Sequence, residues 1–228
     1  MPVGSTVNAV GYYCGRFGPG FFGEPLNSFS NLAFVAGAAL AWYVWRGNPK
    51  RDAWQLPLFA LAAAIGVGSF VFHSVPTPDT LMVDLVPIQV FGLTYFAYLC
   101  VRYLHVPILA TIVLIVCFFF LRQGWIVVAP KGGLGGGITH VPSLLALTAI
   151  GATFLVKRLR VGRYILAACA AYILALVVRS WDLYICASFP IGVHWIWHLL
   201  TALTSTLLVY GVARMPPDRP LEPALSAK

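Results

Sequence analysis

Seven stretches of this chain are apolar and long enough to cross a lipid bilayer, and no other feature limits its possible folds so sharply. They run at about 28–46, 55–74, 81–103, 106–122, 139–157, 163–181 and 193–213; a spanning helix needs about 20 such residues. In hydrocarbon the backbone N–H and C=O groups must be paired internally, so each stretch is expected to be a helix. The fourth is the shortest, and the glycine-rich "KGGLGGGI" at 131–138 blurs the boundary after it. The expected architecture is an all-α bundle of seven transmembrane helices. An outer N-terminal segment at 1–27 precedes the membrane domain at 28–213, and a cytoplasmic tail at 214–228 follows it.

Composition agrees. Hydrophobic residues make up 60% of the 228 and charged ones 10%, against about a quarter charged in soluble domains. The net charge of +8 would suggest a nucleic-acid partner in a soluble protein, but its placement follows membrane topology instead. Arg46, Lys50, Arg51, Arg102, Lys157, Arg158, Arg160, Arg163, Arg214 and Arg219 fall after odd-numbered spans, whereas Arg16, Arg122 and Lys131 fall on the other side. By the positive-inside rule the N-terminus is outside and the C-terminus cytoplasmic. Residues 1–27 lack a basic region followed by an apolar core, so the first span is expected to direct insertion itself. A bacterial inner membrane or a membrane of the secretory pathway fits.

That topology gathers the chain's chemistry at one face. "HWIWH" at 194–198 sets His194 and His198 on one side of the last span, because residues four apart lie one helical turn above each other. The second span ends in "GSFVFH", which puts Ser69 and His73 on one side of a helix near the same face, and Asp84 begins the third span. His105 belongs to an inner loop, and His140, at the outer start of span five, is a weaker candidate. Three histidines with an open fourth position match a catalytic zinc site, whereas structural sites are closed by four protein ligands. The alternative is that these histidines hydrogen-bond within the bundle.

Asp84 alone among seven acidic residues sits inside an apolar span, a placement that costs about 2.5–3.5 kcal/mol and marks function or pairing. Arg179 is a possible partner, but Asp182, three residues further on the same helix, suits Arg179 better. Asp84 is then expected to act as base on a metal-activated water, and the Ser69 hydroxyl to donate to the developing oxyanion. Trp181, Trp195 and Trp197 read as an interfacial aromatic belt. Cys100, Cys117 and Cys169 lie in spans, whereas Cys14 and Cys186 fall in outer-face segments. There they are either a disulfide or two free, partly buried thiols.

These residues resemble the alkaline ceramidases and the wider superfamily that includes the adiponectin receptors. The likeness rests on "EPLNSFSN" at 24–31, "GSFVFH" at 68–73 followed by Asp84, "RSWDLYIC" at 179–186 and "HWIWH" at 194–198, so it covers most of the chain. It implies a seven-helix bundle with zinc on His73, His194 and His198, Asp84 as base and Ser69 as oxyanion helper. It also implies a disulfide between Cys14 and Cys186, and hydrolysis of the amide bond of ceramides to a fatty acid and a sphingoid base. In that family calcium is held near the N-terminal Cys and by a Glu before the first span. Glu24 matches the latter, but "YYCGRFG" around Cys14 offers no carboxylate, and calcium wants six to eight oxygens. Glu24 is otherwise expected to cap the first span, pair with Arg16 or border the pocket. The expected partners are the bilayer and a membrane lipid. The alternatives are a hydrolase of another acyl lipid, or a zinc-stabilised receptor or structural protein.

Overall fold

The computed structural model describes residues 13–18 and 20–217. Among them there is no strand, and seven helical spans are long and apolar enough to cross a membrane. The first combines a short helix α1 (Pro25–Ser30) with α2 (Leu32–Gly47). Then come α3 (Leu56–Ser74), α4 (Pro78–Tyr98), α5 (Ile108–Val128), α6 (Val141–Val156), α7 (Val161–Ile185) and α8 (His194–Arg214). A tight turn at Ala53–Gln55 leads into α3, and a wider turn at Leu99–Tyr103 ends the third span. Of the expected tail, Arg214 closes α8 and residues 218–228, including Arg219, lie outside the described residues, as do 1–12 and Pro19.

Helix starts follow the sequence. Pro25, Pro57, Pro78 and Pro142 stand in first turns, where proline's missing N–H is no loss. Thr77 and Thr80 close a reciprocal cap on α4, satisfying amides that a new helix leaves unpaired. Helices α3 and α8 are the most buried, α8 packing on α7 and α2 and α3 on α4 and α2. The core between them includes Phe34, Leu58, Ile65, Tyr95, Phe154, Ile165 and Val209. At Gly68 the backbone of α4 comes so close that a β-carbon would strike Val83 and Asp84. Only glycine permits this approach, and it sets Asp84 beside the end of α3.

The fourth span is longer than the apolar run suggests. It continues through Arg122 to Val128, because Arg122 borders an internal cavity and need not leave the helix. Trp125 donates from Nε1 to the Ile138 carbonyl at 2.8 Å, joining the helix end to the glycine-rich segment. That segment winds tightly over Gly133–His140, with left-handed backbone at Gly132, Leu134, Gly135 and Gly136. Gly135 lies against the Arg179 carbonyl, where a β-carbon would clash.

Candidate metal centre

Two helix ends meet at one end of the bundle. The last turn of α3 carries His73, and the first two turns of α8 carry His194 and His198. All three are buried, at 1%, 1% and 3% exposure. One ring nitrogen from each can be chosen so that all lie within 4.8 Å of one another. Metal–nitrogen distances of 2.0–2.1 Å in a tetrahedral site put ligand nitrogens roughly 3.3 Å apart, so small ring rotations close the remaining gap.

The far sides of two rings are anchored. His73 donates from Nδ1 to Glu24 Oε2 at 2.7 Å, and His198 Nδ1 lies 2.8 Å from the Ser30 hydroxyl and 3.3 Å from the Asn31 amide nitrogen. Ser30 in turn donates to the Asn27 carbonyl at 3.1 Å. The carboxylate anchor places the His73 ring proton on Nδ1 and leaves its Nε2 as a lone pair. Metal-binding histidines are oriented in this way by an outer carboxylate or carbonyl chain. Two buried imidazole nitrogens, His73 Nε2 and His194 Nδ1, have no hydrogen-bond partner among the described residues. Unpaired buried polar atoms are costly, and a metal ion removes that cost for donors of this type. The triple-His group could therefore hold a metal ion, and its chemistry fits one.

Glu24, fully buried, is committed on both oxygens. Oε1 accepts from Arg16 at 3.1 Å, while Oε2 accepts from Asn27 and His73. Burial alone would push its carboxyl up, but His73, Asn27 and Arg16 together hold it below the ordinary carboxylate value. With both oxygens engaged, Glu24 serves to orient His73. It also caps nothing through its side chain.

Asp84 and Ser69 are buried, at 7% and 4% exposure, and both line a cavity of about 230 Å³ together with His194 and His198. Ser69, His73 and Arg179 are the polar neighbours acting on the Asp84 carboxylate. From the His cluster the cavity runs inward past Ile65, Phe91, Tyr95 and Leu208. It has a polar rim and a long apolar floor.

Two expectations are revised. Asp182 does not pair with Arg179. Its carboxylate accepts the backbone N–H groups of Cys14 (2.9 Å) from the N-terminal segment and of Val193 (2.8 Å) and His194 (3.0 Å), which follow the turn at Gly192 with φ +66°. Arg179 instead lies over the rings of Tyr13 (5.2 Å) and Trp197 (4.9 Å). Trp197 is no belt residue: it is 8% exposed and lines the cavity, whereas Trp181 is 64% exposed. His140 stands outside the cluster, with Nδ1 at 2.6 Å from the Tyr172 hydroxyl. His105 is exposed in a loop.

The residues missed from sequence are those that orient others. Ser30 and Asn31 contact His198, and the Tyr13 ring stacks on His194 with centroids 3.7 Å apart. Burial holds the Tyr13 phenol above its ordinary pKa. The "NSFSN" run, with Asn27, Ser30 and Asn31 at helical three- and four-residue spacing, carried a signal for these contacts. Cys14 and Cys186 form a disulfide, with Cα atoms 5.7 Å apart, that holds the N-terminal segment over the site. No family model matches this chain, and no curated protein matches it.

Proposed function

We propose that this protein is an intramembrane zinc-dependent amidohydrolase that cleaves the N-acyl bond of ceramide-like lipids to a fatty acid and a sphingoid base. One observation carries the reading: three buried histidines bring ring nitrogens within 4.8 Å of one another, and two of them, His194 and His198, line an apolar cavity with a buried aspartate and serine. A structural metal site has no use for Asp84 and Ser69 beside it. The likeness of the "GSFVFH", Asp84 and "HWIWH" motifs to the alkaline ceramidases supports the same reading.

A zinc ion held by His73, His194 and His198 supplies a Lewis acid and lowers the pKa of water toward about 7. The chain's own groups do the rest. Asp84 takes the proton of the attacking water on a carboxylate oxygen and returns it to the amide nitrogen as the C–N bond breaks. The Ser69 hydroxyl donates to the carbonyl oxygen as negative charge builds there. Glu24 holds the His73 ring in the tautomer that ligation needs, and Ser30 anchors the His198 ring. The apolar floor receives the acyl chain and excludes water, and a molecule already in the bilayer reaches such a cavity most directly. The cationic side chains concentrate at the opposite end of the bundle, which supports a site near the outer, periplasmic or lumenal leaflet.

The test is hydrolysis of ceramide by purified, zinc-loaded protein, followed by fatty-acid release. Release that stops with chelator and returns with zinc is expected. Stoichiometric zinc with no turnover on any acyl lipid would replace this reading with a zinc-stabilised receptor or structural protein.

A further inference from the structure

Beyond the histidines, Asp84 and Ser69, the same cavity has a second polar feature. Arg122 from α5 and Arg179 from α7 both line it, and neither forms an ion pair among the described residues. Between their fields lies the Tyr172–His140 pair, on which both positive charges act. Arg179 spends its flat faces on Tyr13 and Trp197, yet its buried Nε has no hydrogen-bond partner. Arginine inside a span is costly, and such residues face a cavity or a partner.

Snorkelling toward headgroups would explain Arg122 alone, but not its place on the cavity wall beside a second arginine. Asp84 is the one acidic side chain among the described cavity-lining residues. A divalent metal and two guanidinium groups against that carboxylate leave the cavity positively charged in a low-dielectric setting. An anionic ligand relieves this imbalance. The chemistry of the wall suits one: guanidinium groups fork onto carboxylate or phosphate oxygens. When His140 donates from Nδ1 to the Tyr172 oxygen, the phenol proton is free to donate as well.

We propose that Arg122, Arg179 and the Tyr172–His140 pair form an anion subsite beside the metal centre, and that acyl lipids with an acidic headgroup, a carboxylate or a phosphate, are preferred there over neutral ones. The assignment rests on the hydrolase reading for turnover, but not for the binding itself. The subsite lies at the His-cluster end of the cavity, so a headgroup occupies it while the acyl chain follows the apolar floor past Phe91 and Tyr95.

The experiment uses the full chain in phosphatidylcholine nanodiscs with three probes of one chain length: N-hexadecanoylglycine, N-hexadecanoylethanolamine and hexadecanoate. Binding is read from tryptophan fluorescence with the metal chelated, and turnover is read with zinc. The acidic amide is expected to bind about tenfold more tightly than the neutral one, the scale of one charge-assisted hydrogen bond, and to show the lower KM. Arg122→Gln and Arg179→Gln bring that ratio toward one, and Arg122→Lys restores part of it. Equal binding of the two amides by the unaltered protein overturns the subsite. Hexadecanoate binding as tightly as the acidic amide overturns the headgroup assignment, because the released fatty acid is then the anion held. Acid-selective binding that depends on Arg122, with no hydrolysis of either amide, keeps the subsite and removes the hydrolase reading instead.

Discussion

The bundle buries a polar cluster at each end, and the two are built on opposite terms. At the end away from the histidines, Arg102 donates from Nε to Asp52 at 2.7 Å and the Tyr98 hydroxyl donates to the same carboxylate at 3.2 Å. Gln55 donates to Tyr98 at 2.6 Å and to the Val212 carbonyl at 2.9 Å. Here a cation meets its anion and α8 is pinned to α3 and α4. At the other end three imidazoles face one another, and His73 Nε2 and His194 Nδ1 have no hydrogen-bond partner among the described residues. Charge that is matched inside the chain holds helices together; donor atoms left facing each other are a site for something from outside.

The comparison breaks most severely if the histidine end turns out to be merely another clamp. His198→Ala is expected to remove both metal and lipid hydrolysis, read by metal analysis and product release, while the helical content stays. Asp84→Asn should retain the metal but lower kcat by about 10²–10⁴, the usual weight of a general acid–base group; unchanged product release would remove Asp84 from the mechanism. At the opposite end, Arg102→Met leaves Asp52 charged and buried, which costs about 3–5 kcal/mol. Its expected readout is a lower unfolding temperature with full metal content, and loss of metal instead would mean that the two ends are coupled. The mildest test is Glu24→Gln. It keeps a hydrogen-bond acceptor for His73 but removes the charge, so metal affinity should fall about 10–100-fold, measured by competition with a chelator.

Much of the site was legible because its chemistry uses residue types that the rest of the chain avoids. Histidine, aspartate and serine in an apolar run stand out, and helical spacing with alternating span direction brings His73, Asp84, His194 and His198 to one end. The ends of the spans were less legible. Hydropathy stopped the fourth span at Arg122, because a guanidinium that borders an internal cavity reads like one that marks a membrane surface. Asp182 was misassigned because its partners are the backbone amides of Cys14, Val193 and His194. Main-chain groups freed by a loop leave no letter in the sequence, whereas Arg179 three residues away does. Trp197 fails likewise: a tryptophan near a helix start suits both a belt and a cavity wall, and only the rotation of α8 decides.

The positions of the ligands in the chain also bear on how the molecule is made. His73 arrives with the second span, His194 and His198 only with the seventh, and the disulfide joins residues 172 apart in sequence. A chain halted after α7 holds Glu24 and His73 in place but cannot chelate. A metal ion bound by all three histidines would therefore require the completed insertion, and its capture would report that the chain has assembled.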